Sequence, residues 1–182
     1  MVSCWSLLVL VVCGLFLLQA PMEGHEDQSG WLQRVMERLE KLEAARDRSQ
    51  VAFTASLVTT VQWTHQGPFS SDTKLVFQKV TTNIGNAYNS ETGVFTAPTK
   101  GLYYISFTGS VGNSGSLNAA VLKNGATMFA IYNTQPCYSA DSNGMALELE
   151  EGDRMWVVLW KNHSIFDQSR LSTFSGFLIF PM

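Results

Sequence analysis

Residues 77–107 read FQKVTTNIGNAYNSETGVFTAPTKGLYYISF. Aromatic and β-branched residues form short runs in this stretch, and Gly, Asn, Ser and Pro separate them, which is the pattern of short strands joined by turns. Phe77, Phe95 and Phe107 recur at strand positions where they can fill one core, whereas Asn83 suits a bend. The stretch therefore predicts strands rather than helices.

The same pattern continues from Val51 to the C-terminus. Further runs of this kind are VAFTASLVTTVQW, LNAAVLKNG, TMFAIY, GMALELEEGD, RMWVVLW and STFSGFLIF. The segment KNGA, residues 123–126, contains Asn-Gly, the strongest short hairpin signal. Evenly spaced short strands with turn signals predict an all-β sandwich or barrel.

Two of the predicted strands are apolar on both faces. In GLYYISFTGSV, residues 101–111, Tyr103 and Phe107 alternate with Leu102 and Tyr104. An antiparallel sandwich normally leaves one face wet, so a strand of this kind needs a second covering surface. A neighbouring copy of the chain is the simplest cover.

The last strand has the same character. In STFSGFLIF, residues 172–180, alternation places Leu178 and Phe180 on the face of Phe174, and Phe177 and Ile179 on the other. Full burial of one large apolar side chain is worth about 2 kcal/mol, so exposure of several is unfavourable. The residues of this region that we predict to contact a second copy are Tyr103, Phe177, Leu178 and Ile179.

Residues 27–48 form the one strongly helical stretch, with Leu32, Val35, Leu39 and Leu42 at heptad spacing. The alternative is a lone amphipathic helix that packs on the sandwich. A helix this short is marginal in water, and an oligomeric head would hold several such helices together. We predict a short coiled-coil stalk with these residues as its seam.

The first twenty residues, MVSCWSLLVLVVCGLFLLQA, carry no charge, and their apolar run is short for a membrane span. They predict a signal peptide, residues 1–20, that is cleaved between residues 20 and 24; the alternative is a membrane anchor. Secretion to the extracellular space follows, with no membrane span. Cys137 is then the one cysteine of the mature chain, so it either forms an intermolecular disulfide or stays a free thiol.

Composition and motifs argue against two function classes. The chain has 12 Lys and Arg against 15 Asp and Glu and shows no basic stripe, so we expect no nucleic-acid partner. It contains no HExxH, no GxSxG and no P-loop. The carboxylates Glu148, Glu150, Glu151 and Asp153 are an alternative acid–base site, but alternation in MALELEEGD places Glu148 and Glu150 on a wet face. We predict that the protein is not an enzyme.

Seven spaced positions together resemble the signature of the C1q domain family: Phe77, Asn83, Tyr88, Phe95, Gly101, Tyr103 and Phe107. The C-terminal SGFLIFP is similar to the closing strand of that family, whereas Ile105 stands where the family often has Phe. The resemblance covers Val51–Met182. It implies a C1q-like globular domain over 51–182, a ten-strand jelly-roll sandwich of the C1q/TNF kind that assembles as a homotrimer.

Some members of the family hold calcium near the trimer axis. The resemblance implies that Asp141 matches one such carboxylate and that Asn133 stands where an acidic residue is expected. Calcium takes six to eight oxygen ligands, and threefold symmetry would gather three carboxylates from three chains. The alternative is a solvated loop aspartate. No cofactor is required, and calcium is a candidate ligand.

Two further features concern the surface. The segment NHS, residues 162–164, makes Asn162 a candidate glycosylation site in a secreted protein. The predicted outer loops are residues 64–73, 133–143 and 161–169, and the aromatic residues in or near them are Trp63, Phe69, Tyr138 and Phe166. Aromatic side chains beside polar loop residues suit protein or carbohydrate recognition, and they equally suit packing under the loops.

The resemblance implies a secreted, non-enzymatic glycoprotein similar to complement C1q. Such a trimer binds extracellular or cell-surface ligands by multivalency, and innate immunity is the expected setting. The sequence contains no Gly-X-Y repeat, so we expect the short helical stalk to replace the collagen-like stem. The alternatives are a TNF-like or cerebellin-like signalling ligand for one receptor, and an enzyme.

Overall fold

The computed structural model describes residues 25–113, 115–134 and 138–182. The predicted signal peptide and Cys137 lie outside the described residues. Helix α1 spans His25–Arg48. The strands are β1 Ala52–Ser56, β2 Thr64–Gln66, β3 Thr73–Lys74, β4 Lys79–Ile84, β5 Tyr88–Asn89, β6 Val94–Thr96, β7 Gly101–Val111, β8 Leu117–Lys123, β9 Ala126–Asn133, β10 Ser139–Leu149, β11 Arg154–Leu159, β12 Ile165–Asp167 and β13 Thr173–Pro181. The helix and the strands are described separately, because the chain divides into two compact units at Ala44/Ala45.

The strands form two antiparallel sheets. The larger sheet has the order β2-β12-β7-β13-β1-β4, with β10 also paired to β7. The smaller has the order β5-β6-β11-β8-β9, with β3 paired to β11. The prediction of an all-β sandwich is confirmed. The described residues contain thirteen strands rather than ten, and five of the thirteen are only two or three residues long.

Aromatic rings fill the space between the sheets. Phe53 of β1 stacks on Tyr88 with 5.1 Å between ring centroids and on Phe95 with 4.8 Å, and Phe174 of β13 meets it edge-on at 5.0 Å. Phe77 and Phe107 are fully buried in the same core. These rings come from both sheets, so ring contacts beyond simple burial hold the two layers together.

The spacing of Phe77, Asn83 and Tyr88 has a structural cause. The Tyr88 hydroxyl accepts from the Phe77 N–H at 3.1 Å and donates to the Phe77 carbonyl oxygen at 3.0 Å. The Asn83 side-chain amide donates to the Tyr88 carbonyl oxygen at 2.9 Å and accepts from the Tyr88 N–H at 3.1 Å. The three residues therefore close the bend between β4 and β5 and pair backbone groups that no strand satisfies.

The turn at residues 89–93, which joins β5 to β6, requires a glycine at position 93. The φ of Gly93 is +71°, and a Cβ at this position would lie 2.5 Å from the Leu75 carbonyl oxygen. Any side chain would therefore push the 89–93 turn away from residues 75 and 76. The turn and the Tyr88 hydrogen bonds fix the same part of the chain.

The structure corrects two predictions for the central strands. Tyr103 is fully buried in the core of its own chain and its hydroxyl donates to the Thr99 carbonyl oxygen at 2.7 Å, so the prediction that Tyr103 contacts a second copy is wrong. Burial also raises the pKa of Tyr103.

Leu178 pairs with Tyr103 and packs partly against this core. The prediction that Phe180 lies on the same face as Phe174 is also wrong. The register shifts between Leu178 and Phe180, so Phe180 lies opposite Leu102 on the outer face.

Removing the Tyr88 hydroxyl tests its role. We expect Tyr88→Phe to lower the free energy of unfolding by about 1–3 kcal/mol, because both backbone groups of Phe77 lose their partner in the core. The measurement is the urea midpoint of unfolding. Tyr132→Phe is the matched control, since Tyr132 is 64% exposed. Equal midpoints for the two variants would contradict the assignment.

Ionisation of the same hydroxyl is expected to lower the stability of the folded protein in alkali. Burial raises the pKa of Tyr88 to about 12, although the hydrogen bond from the Phe77 N–H lowers it. The unfolded chain releases this proton near pH 10, so stability is intact below that pH and falls as the pH rises toward 12. We expect Tyr88→Phe to lose less stability than the native protein over this interval.

Candidate functional site

The apolar seam of α1 is exposed on the chain. Leu32, Leu39 and Leu42 are each about half exposed and Val35 is less so. Trp31 and Met36 are also exposed, and they occupy the positions that flank the predicted seam. The apolar surface of this helix is therefore wider than the four predicted residues. Trp31 and Met36 were missed, although both stand in the same heptad frame.

A second apolar surface lies on the outer face of the larger sheet. The strand register places five uncharged side chains in one row across β4, β1, β13, β7 and β10. This apolar row consists of Ile84, Ala52, Phe177, Tyr104 and Ala146. Phe177 is 48% exposed, Tyr104 is 37% exposed, and their rings are 5.7 Å apart. Neighbouring strands are about 4.8 Å apart, and the row crosses five of the seven strands of this sheet.

The sequence predicted only part of this surface. Phe177 and Ile179 are exposed as expected, and Phe180 joins them because of the register shift. Tyr104 was not among the residues predicted to contact a second copy, although it was placed on the face opposite Tyr103. Ile84 was missed because nothing in a single strand shows which residue of another strand lies beside it.

Three aromatic rings from distant parts of the chain meet at another place on the head. Trp63 lies 5.3 Å from Tyr138 and 5.8 Å from Phe166, and Tyr138 lies 5.4 Å from Phe166, between ring centroids. They border a cavity of about 320 Å³, which we call the aromatic pocket. Its other lining residues are Ser110, Val111, Ser139, Ala140, Gln168 and Leu171.

A buried polar network supports the wall of the aromatic pocket. The Ser172 hydroxyl accepts from the Ser110 N–H at 3.0 Å and donates to the Phe166 carbonyl oxygen at 2.7 Å. The buried Asp167 carboxylate accepts from the N–H groups of Val58 and Ser172, both at 3.2 Å. The ends of β7 and β12 are thereby held in one arrangement, and Ser110 and Phe166 lie directly opposite each other.

The four aromatic residues predicted in or near the outer loops lie in two different places. Trp63, Tyr138 and Phe166 come together at the aromatic pocket, but Phe69 does not join them. Phe69 packs against the core, and its carbonyl oxygen accepts from the Asn162 N–H at 2.8 Å. Asn162 is exposed in the turn after β11, with a φ of +65°. Its side chain is therefore accessible to glycosylation in a secreted protein.

The two predicted calcium ligands differ in their surroundings. Asn133 is buried and its amide donates to the Ser139 hydroxyl at 2.9 Å, whereas Asp141 is half-buried on β10 opposite Gly109. Among the described residues, no three His, Cys, Asp or Glu side chains are grouped to hold an ion. Calcium needs six to eight oxygens, so one chain alone does not fit it. Calcium binding stays a prediction that depends on several chains.

Two of the four carboxylates weighed as an acid–base site, Asp153 and Glu150, form ion pairs with lysines. Asp153 forms an ion pair with Lys123 at 2.7 Å and accepts from the Asn124 side-chain amide at 2.7 Å and from the Glu150 N–H at 2.9 Å. Burial raises the pKa of Asp153, but these three donors outweigh it and the pKa is lowered. A general acid needs a raised pKa. Exposed Glu150 pairs with Lys100 at 2.8 Å and raises the pKa of that lysine.

The fold is that of the C1q/TNF class of β-sandwiches, as known structures show. The globular domain of the zebrafish complement 1qA protein matches with a TM-score of 0.54 at 22% identity, over 72% of this chain and 99% of that one. Eiger TNF from S. frugiperda matches with a TM-score of 0.56 at 16% identity, over 74% and 95%. At these identities the likeness concerns the fold alone. The prediction of a C1q/TNF-like fold is confirmed.

Residues 52–179 match the family model of the C1q domain, and the chain belongs to that family. It is similar to complement C1q tumor necrosis factor-related protein 3 of Mus musculus and of Homo sapiens, at 34% identity over 134 residues in each case. That match covers 72% of this chain, and the chain spans about half the length of both relatives, 52%. Within the described residues, α1 is too polar to cross a membrane.

The wall of the aromatic pocket can be tested by removing one hydroxyl. We expect Ser172→Ala to lower the free energy of unfolding by about 1–3 kcal/mol, because the Ser110 N–H and the Phe166 carbonyl oxygen both lose their partner in a buried place. Thermal unfolding measures the change. Ser142→Ala, at an exposed position of β10, is the control. An unchanged melting temperature in Ser172→Ala would contradict this role.

Proposed function

We propose that this chain is a secreted, non-enzymatic recognition protein that assembles as a homotrimer and binds extracellular or cell-surface ligands by multivalency. The apolar row on the larger sheet is the observation that carries the proposal. Its two aromatic rings are 37% and 48% exposed on a single chain. Full burial of one such side chain contributes about 1.5–3 kcal/mol, so a cover is strongly favoured.

A second copy of the chain is the cover that fits best. The row contains no charged residue, and the core of a stable interface between subunits is depleted in charge. Membership of the C1q domain family supports three copies rather than two. The exposed seam of α1 gives a second surface that association would cover, since most of the stability of a helix in a protein comes from packing of its apolar face.

Trimeric assembly supplies the mechanism of recognition. Three equal sites on one head bind a repetitive surface with an effective concentration that raises avidity by roughly 10²-fold or more. Proteins and carbohydrates of microbial or altered cell surfaces are the proposed ligands, which places the protein in innate immunity. A glycan on Asn162 is part of this proposal, and Cys137 is either a link between chains or a free thiol.

The native mass of the secreted protein tests the assembly. We expect three chains by light scattering, with and without reductant and with calcium chelated. We expect Phe177→Asp to reduce the mass to one chain while circular dichroism shows a folded head, because a charge in the covered row loses its hydration. A monomeric native protein would refute the homotrimer and the avidity mechanism.

Tyr132→Asp is the matched control for this charge. Tyr132 is exposed too, but it lies on β9 in the smaller sheet. It should leave three chains. Loss of the trimer in both variants would show that added charge, rather than the apolar row, is responsible. A mass of six chains that falls to three on reduction would identify Cys137 as a link between trimers.

The helix can be tested separately from the head. We expect the double substitution Leu39→Gln and Leu42→Gln to raise the concentration at which the trimer dissociates, because the seam loses two of its four apolar contacts. Glu40→Gln, on the same helix but outside the seam, is the control. Analytical ultracentrifugation measures the change. Dissociation that is the same in both variants would exclude the stalk.

The mode of ligand binding separates recognition of many surfaces from signalling through one receptor. Binding to many repetitive surfaces that weakens strongly when Phe177→Asp removes multivalency supports the proposal. Saturable binding to one cell type, unaffected by competing sugars, would replace it with a receptor ligand. Both outcomes are measured with the same labelled protein.

A further inference from the structure

The aromatic pocket has the features of a binding site for one kind of chemical group. We propose that it binds a neutral aromatic ring with one hydroxyl, a phenol, either as a free small molecule or as the side chain of a tyrosine. The inference deepens the proposed function and rests on it, since it names one chemical group that the aromatic pocket of each head would recognise.

The size of the pocket sets the size of the ligand. A cavity of about 150 Å³ is enough to hold benzene, and the aromatic pocket measures about 320 Å³. Ligand sites of about 300 Å³ stand at the small end of the usual range. One ring with a short substituent therefore fits, whereas an oligosaccharide does not fit inside.

The walls match the faces of an aromatic ring. Phe166 is buried, while Trp63 is 59% exposed and Tyr138 is 50% exposed beside it. Trp63 and Tyr138 meet at an interplanar angle of 68°, and Trp63 and Phe166 meet at 85°. Edge-to-face geometry of this kind favours a further ring packed among them. Two large exposed aromatics at one opening also indicate surface that a ligand would cover.

One polar atom at the pocket has no partner. Ser110 is 2% exposed, and its hydroxyl oxygen makes no hydrogen bond within the described part of the chain. An unpaired buried hydroxyl is unfavourable, and rotation about χ1 turns it among three staggered positions. After such a rotation, a phenol hydroxyl can either donate a hydrogen bond to it or accept one from it. The Ser110 backbone stays fixed meanwhile, because its N–H donates to Ser172.

The polar lining is too sparse for a sugar. Apart from Ser110, the lining residues with hydrogen-bonding side chains are Trp63, Tyr138, Ser139 and Gln168. The Ser139 hydroxyl already accepts from the Asn133 amide at 2.9 Å. None of the lining residues is charged. A monosaccharide would leave most of its hydroxyls unpaired, so a neutral ring with one hydroxyl is the better match.

Two amides that differ by one hydroxyl test the inference on the secreted protein. Isothermal titration with N-acetyltyrosinamide should give a dissociation constant of about 1 mM, which is weak because the number of ligand atoms limits the binding free energy. N-acetylphenylalaninamide should bind about three- to tenfold more weakly, the usual contribution of one hydrogen bond. Equal binding of the two amides, or none, would overturn the proposal.

Substitutions locate the binding. Trp63→Ala should weaken both amides at least fivefold, whereas Trp160→Ala, which removes an exposed Trp outside the pocket, should not. Ser110→Ala should remove the preference for the tyrosine amide and leave the phenylalanine amide unchanged. An unaltered preference in Ser110→Ala, or equal losses in the two Trp variants, would exclude this pocket.

Titrations with two further compounds complete the test. Binding of p-cresol without N-acetyltyrosinamide indicates a free phenol as the ligand, and binding of both indicates that a tyrosine side chain is accepted. Methyl glucoside at the same concentration should not compete, and competition by it would overturn the choice of ligand. The titration does not depend on assembly: binding by a monomer removes the trimer proposal alone, and a trimer without binding removes this inference alone.

Discussion

The pairing of β13 with β1 and β7 is the constraint on which the rest of this structure depends. One face of β13 carries Phe174 into the ring cluster between the sheets. Gly176 follows on that face, where a Cβ would lie 2.6 Å from Ile105 and 2.7 Å from Phe53. The other face carries Phe177 into the apolar row. A single strand therefore joins the core of the chain to the surface proposed for assembly, because side chains alternate across a sheet.

The apolar row and the aromatic pocket lie in different surroundings. The apolar row is a wide and uncharged stretch of sheet, which suits a partner of matching shape. The aromatic pocket is concave, and Ser110, Ser172 and Asp167 stiffen its wall by buried hydrogen bonds. A stiff and concave site suits a small group, since little conformational freedom is lost on binding. Assembly is thus assigned to the uncharged apolar row and recognition to the concave aromatic pocket of the same head.

Much of the fold could be predicted from the sequence, because alternation and turn residues are local signals. Both faces of the residues 101–111 strand were assigned correctly, and only the conclusion that Tyr103 contacts another copy was wrong. A buried side chain looks the same in sequence whether its own chain or a neighbour covers it. The position of Phe180 was missed for another reason. A register shift changes which face a residue occupies, and no local pattern marks it.

The sequence by itself determined the class of protein. The period of two, the Asn-Gly hairpin and the spacing of Phe77, Asn83 and Tyr88 all follow from local geometry and from hydrogen bonds over short distances along the chain. Only the tertiary structure decided where the surfaces lie. Trp63, Tyr138 and Phe166 are far apart in sequence, as are Ile84, Tyr104 and Phe177. Strand pairing brings each set together, and it depends on contacts between distant segments that a linear pattern does not encode.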